Sequence, residues 1–218
     1  MTTVLYSYFR SSAAYRVRIA LGLKGIAHEQ RAVHLLRDGG QQRSEAFRKI
    51  NSQGLVPVWE DGNGPLGQSL AIMEYLDEAY DGVPLLPGDP IMRARIRQFS
   101  LAVACDIHPV NNLRVLQYLT ERLGVADSEK TTWIRHWVTD GLTALEALLM
   151  AEPTRGRFCF GEVPTMADCC LVPQLFTARR FGVSLDAYPL LSAVDANCQG
   201  LDAFRQAHPM QQPDAEQA

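Results

Sequence analysis

Strand-like sequence is confined to the part of this chain before Tyr80, and every long segment beyond it repeats its apolar residues at helical spacing. A proline- and glycine-rich stretch, DGVPLLPGDP, separates the two regimes. One mixed core does not segregate its strands in this way. The chain is therefore expected to hold a small α/β domain over residues 1–82, a linker over 83–90 and an all-helical domain over 91–218.

Within the first part, residues 3–9 (TVLYSYF) read as a strand. Residues 12–24 then place Val17, Ala20, Leu21 and Lys24 at helical spacing, with Gly25 as the C-cap. Residues 28–35 read as a second strand, and the polar RDGGQQRSEAF as an irregular connection. LVPVWEDGNGPLGQS carries Asp-Gly and Asn-Gly at its middle, which is a hairpin signal. Residues 69–80 read as a helix with Ala71, Ile72, Tyr75, Leu76 and Ala79 on one face. The order β-α-β-β-β-α fits a thioredoxin-like unit, with the second strand parallel to the first and the hairpin antiparallel. In the second part, residues 90–123, 128–151, 165–181 and 190–206 are expected to be helical, and the polar tail PMQQPDAEQA to fray.

Several functions are disfavoured by composition. A net charge of −3 provides no basic field for nucleic acid. No apolar run approaches the roughly 20 residues that span a bilayer, and MTTVLYSYFR lacks a signal-peptide pattern, so a cytoplasmic protein is expected. The five cysteines form no Cys-x-x-Cys pair, and Cys169 and Cys170 read as small core fillers. The histidines show no metal-ligand spacing, and no metal site is expected.

The stretch RSSAAYRVRIAL opens the first helix with Ser11 and Ser12 among Arg10, Arg16 and Arg18. Serine there can cap free helix N–H groups. The same helix end attracts anions, and it lowers the pKa of a thiol from about 8.5. Positions 13 and 14 are alanine, so such a thiol would belong to a ligand. Val56-Pro57 reads either as a plain edge strand or as a cis-proline turn. Gln68-Ser69 stands at a helix start, where an amide and a hydroxyl suit a carboxylate. Asp106, His108, Asn112 and Arg114 make an unusually polar group, with 108 and 112 expected near one helix face. Arg179 and Arg180 read as surface charge, and Thr165 with Asp168 as a capping box.

Taken together, YSYFRSSAAYRVRIAL, RDGGQQ, QSLAIMEYLDE, CDIHPVNNLRVL, PTMADCCLVPQL, RRFGV and HPMQQPD resemble the zeta class of glutathione transferases. The resemblance implies a thioredoxin-like domain followed by an all-α domain, glutathione as cofactor and a homodimer. It implies that Ser11, with Ser12 beside it, meets the glutathione thiolate. It assigns Gln42 to the glycine end, the Val56 backbone next to cis-Pro57 to the cysteinyl part, and Gln68 and Ser69 to the γ-glutamyl carboxylate. His108, Asn112 and Arg114 match positions lining the cleft, Asp106 one that reaches a neighbouring subunit's glutathione, and Arg10 and Arg180 ones that grip substrate carboxylates. Ala13 stands where the class keeps a cysteine, and Tyr15 where it keeps a tryptophan.

The implied activity is glutathione-dependent cis–trans isomerisation of maleylacetoacetate to fumarylacetoacetate, in tyrosine and phenylalanine breakdown. The thiolate adds, the bond rotates, and elimination restores the alkene. Maleylpyruvate is an alternative substrate. Conjugation or dehalogenation of small α-haloacids is an alternative reaction, and a non-enzymatic module that mediates protein contacts is a third reading.

Overall fold

The computed structural model describes residues 3–216. In chain order these form β1 (Val4–Ser7), α1 (Ser12–Lys24), β2 (Glu29–Ala32), α2 (Glu45–Ile50), β3 (Val58–Glu60), β4 (Leu66–Gly67) and α3 (Ser69–Ala79). Then follow α4 (Pro90–Leu101), α5 (Leu113–Glu121), α6 (Asp127–Ala151), α7 (Met166–Arg180), α8 (Pro189–Gln199) and α9 (Asp202–Ala207). The chain divides into two compact units, Met1–Leu86 with Gln199–Ala218, and Pro87–Cys198.

The first unit is built on a four-stranded sheet in the order β2-β1-β3-β4. β1 and β2 run parallel, whereas β1 with β3 and β3 with β4 run antiparallel, as the sequence pattern implies. β1 stops at Ser7 because the chain turns: the Ser11 N–H donates to the Tyr8 carbonyl at 2.9 Å. α1 then begins where the serines stand and ends at Gly25, whose φ of 66° is the left-handed conformation glycine tolerates. α1 packs against both α3 and α9, so every residue from Ala14 to Leu21 is buried, Arg16 and Arg18 included.

The final segment belongs to this first unit, which differs from the placement expected from sequence. The reasons are specific. Arg18 Nε donates to the Ala207 carbonyl at 3.0 Å, and Phe204 is fully buried. Gly22 lets α9 approach closely, since a Cβ there would come within 3.1 Å of Ala203. The tail does not fray as expected: Pro209–Gln211 form a 3-10 turn, and Asp214 accepts from the Phe9 N–H at 2.9 Å. Residues 217 and 218 lie outside the described residues. The first unit also runs past the expected boundary to Leu86. Asp77 accepts from the Leu85 and Leu86 N–H groups at 2.7 and 3.1 Å and pairs with the buried Lys24.

The second unit is helical, with α7 at its centre, buried from Met166 through Leu175. Asp168 starts α7 by accepting from the Thr165 N–H and hydroxyl, at 2.7 and 3.0 Å, and from the Cys159 N–H at 2.9 Å. Cys159, Cys169, Cys170 and Cys198 are fully buried fillers, and burial pushes the thiols of Cys159, Cys169 and Cys198 upward. Two expected helices are broken. Residues 90–123 split at a π-helical stretch (Ala102–Ile107) and again at Pro109, and 190–206 split after Gln199. The expected irregular connection runs into α2, a short helix capped by Ser44 and anchored by Phe47, with Ile50 packed on the same apolar cluster.

Phe204→Ala should cost about 3–5 kcal/mol, the usual range for emptying a buried aromatic site. Urea unfolding would check this, with a lowered midpoint and an unchanged m-value.

Candidate functional site

One row of the sheet brings most of the expected residues together. Tyr6 on β1 pairs with Val58 on β3, and Val58 pairs with Gly67 on β4. Just beyond that row, β1 runs on into the turn that leads to Ser11, β3 is entered from Val56-Pro57, and β4 leaves into Gln68-Ser69. Ser11, Val56, Pro57, Gln68 and Ser69 therefore lie along one end of the sheet, where α1 and α3 both start. Two helix N-termini at one sheet end make a place suited to anions.

Ser11 is the N-cap of α1, and its Oγ accepts from the Ala14 N–H at 3.2 Å. That bond uses a lone pair and leaves the hydroxyl proton for an acceptor elsewhere. Ser12 is the first residue of α1 and half-buried beside it. Arg10 is half-buried, its guanidinium 4.9 Å from the Phe9 ring centroid, with no carboxylate partner among the described residues. Arg16 and Arg18 point inward. Arg16 Nη1 donates to Ser69 Oγ at 3.2 Å, a buried contact that ties α1 to the start of α3 and sets a cation beneath it. Arg18 Nη1 donates to Ser7 Oγ at 3.0 Å and to the Tyr8 carbonyl at 3.4 Å, and Nη2 to the Phe9 carbonyl at 3.1 Å. Sequence reasoning placed these two arginines around the serines without giving them a role. The signal was there, because apolar residues surround both on every helical face.

Gln68 precedes α3 with φ 69° and ψ 111° and makes no side-chain cap. A positive φ at a non-glycine residue is strained, and such strain collects at functional sites. The hairpin before it is firmly held. Asp61 accepts from Trp59 Nε1 (3.2 Å), the Tyr75 and Tyr80 hydroxyls (2.6 and 2.7 Å) and the Asn63 N–H (3.2 Å). Burial raises the Asp61 pKa, but these donors together outweigh it and bring it down from 3.8 to about 2. Gln68 Nε2 also donates to Gln53 Oε1 at 2.9 Å.

The Val56–Pro57 peptide is cis, which selects the second of the two sequence readings. Gln42 is buried and turned inward: its Nε2 donates to the Leu35 carbonyl at 3.3 Å. The Gln42 carbonyl lies against Gly54, where a Cβ would come within 2.9 Å, so the GGQQ loop rests on the segment that enters Val56.

The second unit holds the other expected residues. Asp106 is exposed in the π-helical stretch, and His108 follows it, its N–H reaching back to the Val103 carbonyl at 3.0 Å. Ile107 presses on Gly141 of α6, where a Cβ would come within 2.4 Å. The expectation that 108 and 112 share a helix face is wrong. Pro109 begins a separate 3-10 turn, and Asn112 is the N-cap of α5, accepting from the Arg114 N–H at 3.2 Å. The π-helical register was hidden because AVACDI has ordinary helical composition. Arg114 is exposed. Arg180 is exposed, 5.2 Å from the Phe181 ring centroid, while Arg179 pairs with the buried Asp195 at 2.6 Å. Among the described residues no group of three or more His, Cys, Asp and Glu side chains could hold a metal ion.

Comparison with known proteins gives a consistent family. Residues 5–84 match the model for the glutathione S-transferase N-terminal domain, and 138–196 that for the C-terminal domain. A probable maleylacetoacetate isomerase of Vibrio cholerae is 49% identical, covering 99% of both chains. The holo structure of a maleylpyruvate isomerase, described as a zeta-class bacterial glutathione S-transferase, is 47% identical with a TM-score of 0.94, covering 98% of this chain and 100% of that one. A maleylacetoacetate isomerase from Methylobacterium extorquens AM1, solved with bound malonate and GSH, is 43% identical with a TM-score of 0.94 and the same coverage.

The Asp61 cluster predicts a pH signature. A carboxylate held at about 2 contributes stability above its ordinary 3.8, and that contribution is lost as pH falls through 2. Asp61→Asn should cost about 1–3 kcal/mol at neutral pH. The gap from wild type should narrow as pH falls through that range, which denaturant unfolding at several pH values would reveal.

Proposed function

The chain belongs to the glutathione S-transferase family, and from that premise we propose that it is a glutathione-dependent cis–trans isomerase converting maleylacetoacetate to fumarylacetoacetate. The observation that carries the reading is the state of Ser11. Its oxygen accepts from the Ala14 N–H, and its hydroxyl proton is left to donate outward. All five cysteines stand between 105 and 198, and none lies in the first unit. With alanine at positions 13 and 14 as well, the residues around Ser11 supply no sulfur of their own, which supports a thiol brought by the ligand.

The donor set fits a tripeptide thiol with carboxylates at both ends. Glutathione, when bound, supplies the thiol that adds reversibly to the cis double bond, so that rotation becomes possible. The protein's part is to hold and polarise. Ser11 donates its hydroxyl proton to the sulfur, with Ser12 alongside, and the field of the α1 N-terminus favours the thiolate. Gln68 and Ser69 bind the γ-glutamyl carboxylate at the start of α3. There Arg16 occupies the Ser69 oxygen and leaves its proton to the ligand. The Val56 backbone, beside Pro57, takes the cysteinyl part, and Gln42 shapes the loop toward the glycine end. Arg10 binds a substrate carboxylate, for which a guanidinium is the best-matched side chain. In the second unit Arg180 has the same role, and Asp106, His108, Asn112 and Arg114 complete the ligand contacts. We place the enzyme in the cytoplasm as a homodimer.

A maleylpyruvate isomerase is as close in fold as a maleylacetoacetate isomerase, so that substrate is the second reading. The GGQQ loop favours the first. Enzyme, substoichiometric glutathione and each substrate should be mixed in turn, with the trans product followed. Many turnovers per glutathione, faster with maleylacetoacetate, are expected. Product appearing only as a stoichiometric glutathione adduct would sink the isomerase reading. Ser11→Ala should lose about 10²-fold in rate, the usual scale for deleting one donor to a developing anion. It should stay folded, because the cap contributes only about 1 kcal/mol.

A further inference from the structure

Four polar side chains after α9, those of His208, Gln212, Asp214 and Glu216, each hold a particular group. His208 Nδ1 accepts from the Met210 N–H at 3.2 Å. Gln212 Nε2 donates to the Gln206 and His208 carbonyls at 2.8 and 2.9 Å, covering the end of α9. The Ala215 N–H donates to the Gln212 carbonyl at 2.9 Å and turns the chain back. Ala215 packs on the apolar cluster that includes Tyr8, Phe9, Val33 and Val56. Glu216 pairs with His34 Nε2 at 3.2 Å and with Arg37.

The chain's reason to turn back is visible at Phe9. Asp214 Oδ2 accepts its N–H at 2.9 Å, while Arg18 Nη2 donates to its carbonyl at 3.1 Å. The two successive peptide units that flank the Phe9 Cα are thus held, the first through its N–H by an anion and the second through its carbonyl by a cation. The Phe9 ring is fully buried, so the residue has no freedom left. The next two residues are Arg10 and Ser11. Burial pulls the Arg18 pKa down to about 10, with Tyr15 and Asp214 opposing that fall, so the two grips also support each other.

We infer that Asp214 is a positioning residue for Ser11: by fixing the Phe9 N–H, it sets where the Ser11 hydroxyl points. This rests on the reading of Ser11 as the donor to the glutathione sulfur. Asp214 itself touches no reacting group. If the bond is lost, the turn can pivot about the Arg18 contact, and displacing a donor by a fraction of an ångström weakens its bond to an anion steeply.

The test compares wild type with Asp214→Ala and Asp214→Asn in the full chain. For Asp214→Ala, KM for glutathione is expected to rise about tenfold. The limb of the pH–rate profile that reports thiol ionisation should move to higher pH, and the ultraviolet absorbance of bound thiolate should fall at neutral pH. Asp214→Asn keeps an acceptor for the Phe9 N–H and should restore all three. An alanine variant with the wild-type KM and pH profile overturns the inference, whatever its stability, and so does an asparagine variant impaired as fully as alanine. If the alanine chain fails to fold, Asp214→Ser replaces it; its hydroxyl is too short to reach Phe9, and a wild-type profile there is equally fatal. Amide exchange at Phe9 and Arg10, expected to quicken in Asp214→Ala, needs no ligand. Failure of wild type to bind glutathione would thus count against the Ser11 reading, and unchanged exchange against the positioning role.

Discussion

The buried guanidinium of Arg18 organises the first unit. A charge away from water is costly unless its donors are satisfied, and Arg18 finds four oxygens: Ser7 Oγ and the carbonyls of Tyr8, Phe9 and Ala207. Three belong to the end of β1, and the fourth to the end of α9. Among the described residues no carboxylate pairs with it; three of its four partners are backbone carbonyls, which can be supplied only if the chain is in the right place. The end of β1, the middle of α1 and the last helix are thereby made to fold together. This is why residues from Gln199 onward join the first unit although a separate helical unit lies between.

With that turn set, the sheet register does the rest. The row Tyr6–Val58–Gly67 is a consequence of two antiparallel pairings and a tight Asp-Gly-Asn-Gly hairpin. It leaves the start of α1, the start of α3 and the cis Val56–Pro57 bond along one end of the sheet. Asp61, saturated by donors from Trp59, Tyr75 and Tyr80, holds the hairpin firmly enough for Gln68 to keep its strained backbone. The strain is local, the restraint spreads over β3, β4 and α3, and the effect is to aim one helix end.

Much of this was legible in the sequence. Apolar periodicity and turn residues marked the succession of strands and their parallel and antiparallel senses, the limits of α1 to the residue and the thioredoxin-like arrangement. The serines, Val56-Pro57 and Gln68-Ser69 stood out as residues whose types suit a helix end or a strand edge. What could not be read depends on contacts distant in sequence or on backbone register. The docking of α9 rests on Arg18 meeting a carbonyl 189 positions away. The π-helical stretch before His108 changes which side chains share a face without changing composition. α2 is only six residues long, and its single apolar pair, Phe47 and Ile50, is too short a pattern to establish a period. The tail looked frayed because its residues are polar, whereas their polarity is what attaches it to backbone groups of the first unit.

Capping and chemistry are commonly weighed as rival explanations for a serine at a helix start. At Ser11 they are complementary halves of one hydroxyl. The lone pair satisfies the Ala14 N–H, and doing so orients the proton away from the helix. Ser69 repeats the arrangement, with Arg16 as the donor in place of a backbone N–H. In both, the intramolecular bond takes one lone pair and leaves the hydroxyl proton to donate, which is the property an anionic ligand requires. A residue that caps well is therefore pre-oriented to bind an anion. The structural role needs no sacrifice for the functional one, and the alanine at position 13 is consistent with a site whose protein side chains donate and whose nucleophile arrives with the ligand.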